Sequence, residues 1–373
     1  MAPLWRHTPV IHSRHLSRLL GCSVYLKLEN LQISQSFKYR GLSLFIQEVK
    51  EKHGSSAHLV IASGGNAGLA AAYAAQKLGL QCTVYIFEGL PLDVQTALED
   101  GGANVQVVGK NYVEAFAAAV AHVARDPDAV MVPAYDHPTV WSGHGSMIEE
   151  IAAELPKPPK AILCSVGGGG LLGGVLVGCD KVGWENVPVV ALETHGSACF
   201  YHSLLLSRPS DPPYVPPDFV TPVKVSDRIT LAKIVPNSRV SSLGASSPAK
   251  EVVEMALDHP GTVKCVTVPD ELSMLAAMRI AAEHKFLVET ACSTTIVPAY
   301  HEGTLERILG APLTKDDSLV FIVCGGTKIS VEELEEYKSD IKQMPPTKVY
   351  MNIEGESMYL GELPVLSSFL TMS

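Results

Sequence analysis

His58-Leu59-Val60-Ile61-Ala62-Ser63 is a short apolar run that ends in Gly64-Gly65-Asn66, continues as the alanine-rich stretch Ala67 to Leu78, and is followed by Cys82-Thr83-Val84-Tyr85-Ile86-Phe87. Apolar runs of this length bounded by glycine read as buried strands, and the alanine-rich stretch between them reads as a helix. Strand, helix and strand make a βαβ unit, which sets two parallel strands side by side. The same alternation recurs outward from this unit. Val105 to Val108 precedes the helix Val113 to Ala124. Ala161 to Val166 leads into the helix Leu171 to Val182 and the strand Val187 to Glu193. Val263 to Val268 precedes the helix Asp270 to His284, and Ser318 to Cys324 closes the series. Strands with no polar alternation imply parallel sheets covered by helices on both faces, an α/β fold.

Two segments break the rhythm. Ser207 to Asp227 carries six prolines and reads as an exposed loop without regular structure. Met344 to Ser373 opens with Pro345-Pro346, shows no period, and reads as an appended tail. The composition, 47% hydrophobic and 18% charged, is that of a globular enzyme-like chain. A net charge of -10 argues against a nucleic-acid partner. No apolar run reaches the roughly 20 residues of a membrane span, and Met1 to Thr8 does not resemble a secretory signal. The eight cysteines form no C-x-x-C pair and several lie inside apolar runs, as buried thiols do in a reducing, cytoplasmic compartment. The histidines form no H-E-x-x-H, so no zinc site is expected.

Chemistry concentrates at the ends of the strands. Ser36-Phe37-Lys38-Tyr39-Arg40-Gly41 places a lysine in a segment otherwise built for burial. A lysine held in a dry site loses its proton readily and becomes a nucleophilic amine. Ser165-Val166-Gly167-Gly168-Gly169-Gly170-Leu171 joins a strand to a helix, where bare N–H groups and the helix N-terminus suit a phosphate. Without a following Lys-Ser/Thr it is not a P-loop. The same stretch satisfies G-x-G-x-x-G through Gly168, Gly170 and Gly173, with Glu193 about 20 residues on, so a nicotinamide-dependent dehydrogenase is a competing reading. Ser63-Gly64-Gly65-Asn66 offers amides, a hydroxyl and a carboxamide for a carboxylate and a phenolic oxygen. Val323-Cys324-Gly325-Gly326 ends a strand with a thiol that could face a ring nitrogen or be ordinary core.

Together, and in this order, these motifs resemble the fold-type II pyridoxal-phosphate enzymes (tryptophan synthase β-like), and within them the L-serine dehydratase/L-threonine deaminase group, over Leu4 to Lys342. The resemblance implies two open, twisted parallel-sheet domains with helices on both faces. Residues 1–32 plus 137–343 would form the large cofactor-binding domain, 33–136 a small inserted domain, and 344–373 a tail. By the same match Lys38 would carry pyridoxal 5'-phosphate as a Schiff base and then take the substrate's α-proton. Phe37 would lie near the ring, Asn66 would hold the phenolic oxygen, and Gly167, Gly168, Gly169, Gly170 and Leu171 would hold the phosphate. Cys324 would face the pyridine nitrogen, and Ser63, Gly64, Gly65 and Asn66 would bind the substrate carboxylate. Glu193 would act near the substrate.

The implied reaction is dehydration and deamination of L-serine, and of L-threonine, to pyruvate or 2-oxobutanoate plus ammonia, in amino-acid catabolism and gluconeogenesis. A related enzyme for a specialised hydroxy-amino acid is the other reading within the family. Glycine at 64, where related racemases have serine, disfavours racemisation. Ala67, where biosynthetic deaminases usually have histidine, points to the catabolic group, and the tail is too short for their regulatory domain. A cytoplasmic homodimer acting on a small amino acid is expected. The family's monovalent-cation (potassium) site would fall near Glu193, but Cys199 stands where a serine is usual, and a thiol is a poor potassium ligand. Gln35 replaces a small residue, usually glycine, and is expected to narrow the entrance to the site. Lys27, Lys50 and Lys52 read as surface charges, and His144 as a structural histidine.

Overall fold

The computed structural model describes residues 2–363. Its strands are β1 (Val10–His12), β2 (Ser23–Leu28), β3 (His58–Ala62), β4 (Gln81–Ile86), β5 (Asn104–Val107), β6 (Ala129–Met131), β7 (Ala161–Ser165), β8 (Val189–Thr194), β9 (Thr221–Lys224), β10 (Thr230–Lys233), β11 (Val263–Val268), β12 (Ser318–Val323), β13 (Thr347–Ile353) and β14 (Glu356–Leu363). The βαβ unit read from His58 to Phe87 is present as β3, the helix Asn66–Leu78 and β4, paired in parallel. It belongs to a four-stranded, all-parallel sheet of order β5-β4-β3-β6. A second sheet of eight strands has the order β1-β2-β12-β7-β8-β11-β13-β14. Its central strands β2, β12, β7, β8 and β11 run parallel. All residues of β7, β8 and β12 are buried, as strands covered on both faces must be.

The terminal segment departs from the expectation of a tail without structure. β13 pairs antiparallel with β11, and β14 pairs antiparallel with β13, so residues 347–363 extend the large sheet. Buried and exposed residues alternate in β13 because one face packs on the core. Residues 364–373 lie outside the described residues. The proline-rich insertion is likewise not wholly irregular. β9 falls within it and carries Pro222, and it forms a two-stranded antiparallel ribbon with β10, where a proline on an edge costs no interior ladder bond.

Lys27 is the clearest correction at the surface. It is fully buried in β2, and its ammonium donates to Glu150 Oε2 at 2.5 Å and to Thr8 O at 2.6 Å. Arg40, also fully buried, donates from Nε and Nη2 to both oxygens of Glu29 at 2.7 and 2.8 Å, and from Nη1 and Nη2 to both oxygens of Glu150 at 2.7 Å. Two cations thus meet two carboxylates inside the protein, which is what burial of charge requires. This hub ties the first turn of the helix Lys38–His53 to β2 and to the helix Pro138–Glu154. Lys50 is half-buried, bonding Leu78 O at 2.6 Å, and Lys52 is exposed as expected. All eight cysteines are buried and unpaired. No helix among the described residues is long and apolar enough to cross a membrane.

Candidate active site

Parallel strands deliver their following loops to one end of a sheet, and ligands of α/β proteins sit at those carboxyl ends. Here the loops after β3, β7 and β12 meet the start of the helix Lys38–His53 around one cleft. Lys38, Phe37, Asn66, Gly167, Gly168, Gly169, Gly170, Leu171 and Cys324 all line it, together with Ser36, Tyr135, Ser165, Leu243 and Glu289. Ser63, Gly64 and Gly65 run beside this lining into Asn66, which opens its helix.

The lysine loop and the thiol loop are stitched together. Phe37 N donates to Cys324 O at 3.0 Å, Gly326 N donates to Gln35 O at 2.8 Å, and Ser36 bridges to Gly325. Gln35 itself adopts φ +57°, the left-handed region that favours glycine. A glycine at this position would adopt that backbone without strain. Gln35 is exposed and is not among the residues that line the cleft.

Lys38 donates to Ala134 O at 2.9 Å, and its nitrogen lies 5.3 Å from the Phe37 ring centroid. Part of the lysine stem meets the cleft opening, but the nitrogen is enclosed, and burial pulls its pKa from 10.5 down to about 8. An amine must be neutral to attack an aldehyde. Uptake of pyridoxal phosphate by the cofactor-free protein should therefore accelerate as pH rises, with a midpoint near 8, followed by stopped-flow absorbance. A midpoint at 10 or above would contradict the enclosure. The stability sign is consistent. Below about 8 both folded and unfolded chains hold the proton, and between about 8 and 10.5 only the unfolded chain does, so stability of the cofactor-free protein gains from Lys38 as pH rises through that window.

The glycine-loop side of the cleft is built from backbone. Gly169 caps the helix Gly170–Lys181 with φ +97° and no side-chain cap, leaving the first-turn amides without intrahelical partners. A Cβ on Gly168 would lie 2.4 Å from the Tyr135 ring, so the loop can close only without side chains. Burial pushes the Tyr135 hydroxyl up to about 12, so it stays a proton donor. Ser36 Oγ, in the same lining, is buried without a hydrogen-bond partner. An amine, a row of free amides, a carboxamide, a thiol and an orphaned hydroxyl around one cleft fit pyridoxal phosphate.

Several residues of the site carry no motif. Glu289, nearly fully buried, accepts from Asn66 Nδ2 at 2.9 Å and from Lys328 N at 2.8 Å. Asn66 Oδ1 accepts from Thr327 N at 3.1 Å, which fixes the carboxamide and leaves one Nδ2 hydrogen for a ligand. Lys328 reaches back over the Ser63–Asn66 loop: a Cβ on Gly65 would lie 3.3 Å from its ammonium nitrogen. A Cβ on Gly64 would meet Leu90 Cδ1 at 2.3 Å, so Leu90 occupies the space a serine there would need.

Glu193 does not line the cleft. Fully buried, it accepts from Phe200 N at 3.0 Å and Tyr201 N at 2.5 Å, at the start of the helix Cys199–Ser207. Burial raises its carboxyl well above the ordinary range, and the two amides only partly offset this. Cys199 donates its thiol to Gly167 O at 3.6 Å, so the helix that caps Glu193 also touches the glycine loop. His144 is buried, accepts from Gly41 N at 3.1 Å, packs 4.7 Å from the Phe37 ring, and is driven well below its ordinary pKa by burial. It sits as a neutral packing residue behind Lys38.

The fold and the cleft define a fold-type II enzyme, and the chain belongs to the pyridoxal-phosphate dependent enzyme family, which matches residues 1–325. It is 38% identical over 344 residues to the human protein named serine dehydratase-like, covering 90% of this chain and 95% of that one. It is 35% identical over 343 residues to human L-serine dehydratase/L-threonine deaminase, covering 91% and 96%. Its structure is similar to that of a fungal L-serine ammonia-lyase from Rhizomucor miehei, with TM-score 0.78 and 29% identity over 90% of this chain and 99% of that one. The dinucleotide reading of Gly168, Gly170 and Gly173 gives way to this family.

Proposed function

We propose that the protein is an L-serine ammonia-lyase that also accepts L-threonine, releasing pyruvate or 2-oxobutanoate and ammonia. The observation that carries this reading is the enclosed Lys38 amine set in one cleft with the glycine loop, Asn66 and Cys324. The relatives named for serine dehydration support the substrate. Pyridoxal phosphate, when bound, supplies an electron sink for the bond broken at the substrate's α-carbon. The amides of Gly167 to Leu171 would hold its phosphate, Asn66 its ring oxygen, and Cys324 its ring nitrogen. A thiol, unlike a carboxylate, does not hold that nitrogen protonated, which favours prompt loss of the β-hydroxyl over a long-lived carbanion. The Ser63–Asn66 loop would bind the substrate carboxylate, with the Lys328 ammonium above it. Lys38 takes the α-proton from one face. Gly64 places no acid on the other face, so the stereocentre is not rebuilt. The α-proton and β-hydroxyl leave as water, and the aminoacrylate released hydrolyses to the 2-oxo acid and ammonia.

The division into a small domain, 33–136, inserted in a larger one, 1–32 plus 137–343, rests on the two separate sheets. A second reading, a specialised hydroxy-amino acid, is favoured by Lys328, whose charge suits a substrate with a further acidic group. The test is a substrate panel read by 2-oxo acid and ammonia release: L-serine, L-threonine, their D-enantiomers, and hydroxy-amino acids bearing a second carboxylate. The highest kcat/KM on L-serine is expected. A yellow protein that releases ammonia only from a dicarboxylic hydroxy-amino acid selects the second reading, and one that releases none from any of them overturns both.

A further inference from the structure

His58, His122 and Asp126 come together about 17 Å from the cleft, at the other end of β3, taking roughly 3.3 Å per strand residue from Ser63. His58 begins β3, His122 lies in the last turn of the helix Tyr112–Val123, and Asp126 follows four residues later. Asp126 Oδ2 lies 3.1 Å from His58 Nδ1 and 3.7 Å from His122 Nε2, and all three atoms fall within 4.8 Å of one another. Ligand atoms around a tetrahedral zinc, each about 2.0–2.1 Å from the metal, sit about 3.4 Å apart. The three groups therefore need little movement to share one ion.

The opposite faces of these groups are arranged for the same purpose. His58 Nε2 lies 2.8 Å from Thr83 Oγ1, and His122 Nδ1 lies 3.0 Å from Tyr85 Oη. Both hydroxyls, from neighbouring positions of β4, can accept a ring N–H. With the outer nitrogens so engaged, His58 Nδ1 and His122 Nε2 are the atoms that would exchange their contacts with Asp126 for an ion, an arrangement that outer partners of metal-bound histidines support. Asp126 Oδ1 accepts from Asp128 N at 3.0 Å, which leaves Oδ2 turned inward. The side chains are 16%, 21% and 32% exposed, so an ion has a path in.

The geometry points to a binding site for a divalent first-row transition ion, zinc first, held by His58 Nδ1, His122 Nε2 and Asp126 Oδ2. Two imidazoles and one carboxylate suit zinc, and three protein donors leave a fourth position for water. The ion clips the helix Tyr112–Val123 to the first residue of β3 and braces the small sheet, remote from the cleft. The candidate site lies outside the H-E-x-x-H pattern whose absence suggested a zinc-free chain. His122 and Asp126 supply two ligands at helical spacing, while the third lies 64 residues upstream.

The test uses the cofactor-loaded protein, stripped with a chelator and desalted, then titrated with zinc by calorimetry and with cobalt by visible absorbance. One ion per chain, a cobalt spectrum of tetrahedral type and a higher melting temperature with zinc are expected. His122→Gln and Asp126→Asn should each weaken binding at least tenfold, and Tyr85→Phe, which leaves every ligand in place, should weaken it about tenfold. Should a ligand variant fail to fold, Tyr85→Phe and Thr83→Val carry the test alone. No saturable binding, or binding whose affinity these variants leave unchanged, overturns the site.

Discussion

Lys38→Ala is expected to yield a protein without tightly held cofactor and to lower 2-oxo acid release from L-serine at least about a thousandfold. On the proposed reading two functions leave with one side chain, the amine that would hold the aldehyde and the base that would take the α-proton. The structure separates this from a folding defect. The lysine contributes one hydrogen bond, to Ala134 O, at the expense of desolvating an ammonium, and that burial pulls its pKa down to about 8. The variant should therefore melt at the same temperature as the cofactor-free parent or above it. Visible absorbance, a coupled 2-oxo acid assay and calorimetric melting read the three quantities. A variant retaining a tenth of the parent's rate would remove Lys38 from the centre of the chemistry.

Arg40→Met should have the opposite profile, a large loss of stability, about 3–5 kcal/mol in urea unfolding. Arg40 lies two residues beyond Lys38 and points the other way, into the hub with Glu29, Glu150 and Lys27. Removing it leaves Glu29 and Glu150 in the core with Lys27 as the remaining cation. Burial opposes the charge of Glu150, but Arg40 and Lys27 outweigh it and hold its carboxyl below the ordinary 4.5. That contribution is complete above about 4.5 and fades as pH falls through the lowered value, so the gap between parent and variant should shrink in acid. A difference below 1 kcal/mol at neutral pH would mean the hub is not a structural unit.

The two variants also mark what could be read from the chain alone. Fold and site are legible wherever backbone geometry demands a residue type. β3, its glycine loop and the helix Asn66–Leu78 announce themselves because an apolar run must stop, turn with bare amides and restart with small residues. The tetraglycine loop does the same before the helix Gly170–Lys181. The hub is illegible because its partners are distant in sequence: Lys27 and Glu150 each look like ordinary surface charges until β2 and the helix Pro138–Glu154 are packed together. Glu289 hides for a similar reason, since Val288-Glu289-Thr290 has no glycine or spacing to flag it. β13 and β14 are masked by Pro345-Pro346, which suggested a tail where a sheet edge begins. Glu193 is visible as a carboxylate ending a strand, but only the packed helix Cys199–Ser207 reveals that its oxygens face backbone amides.

The seam between Phe37 and Cys324 has a consequence for biosynthesis. Lys38 leaves the ribosome early, while the loop that completes its surroundings is made almost a whole chain later. At about 5–20 residues per second the interval is on the order of tens of seconds. By then Ala134 and the glycine loop have been made, but the strand end that holds Phe37 N has not, so the surroundings of Lys38 are incomplete. The cleft is therefore completed only once Cys324-Gly325-Gly326 has been made, at the end of the last strand of the parallel core.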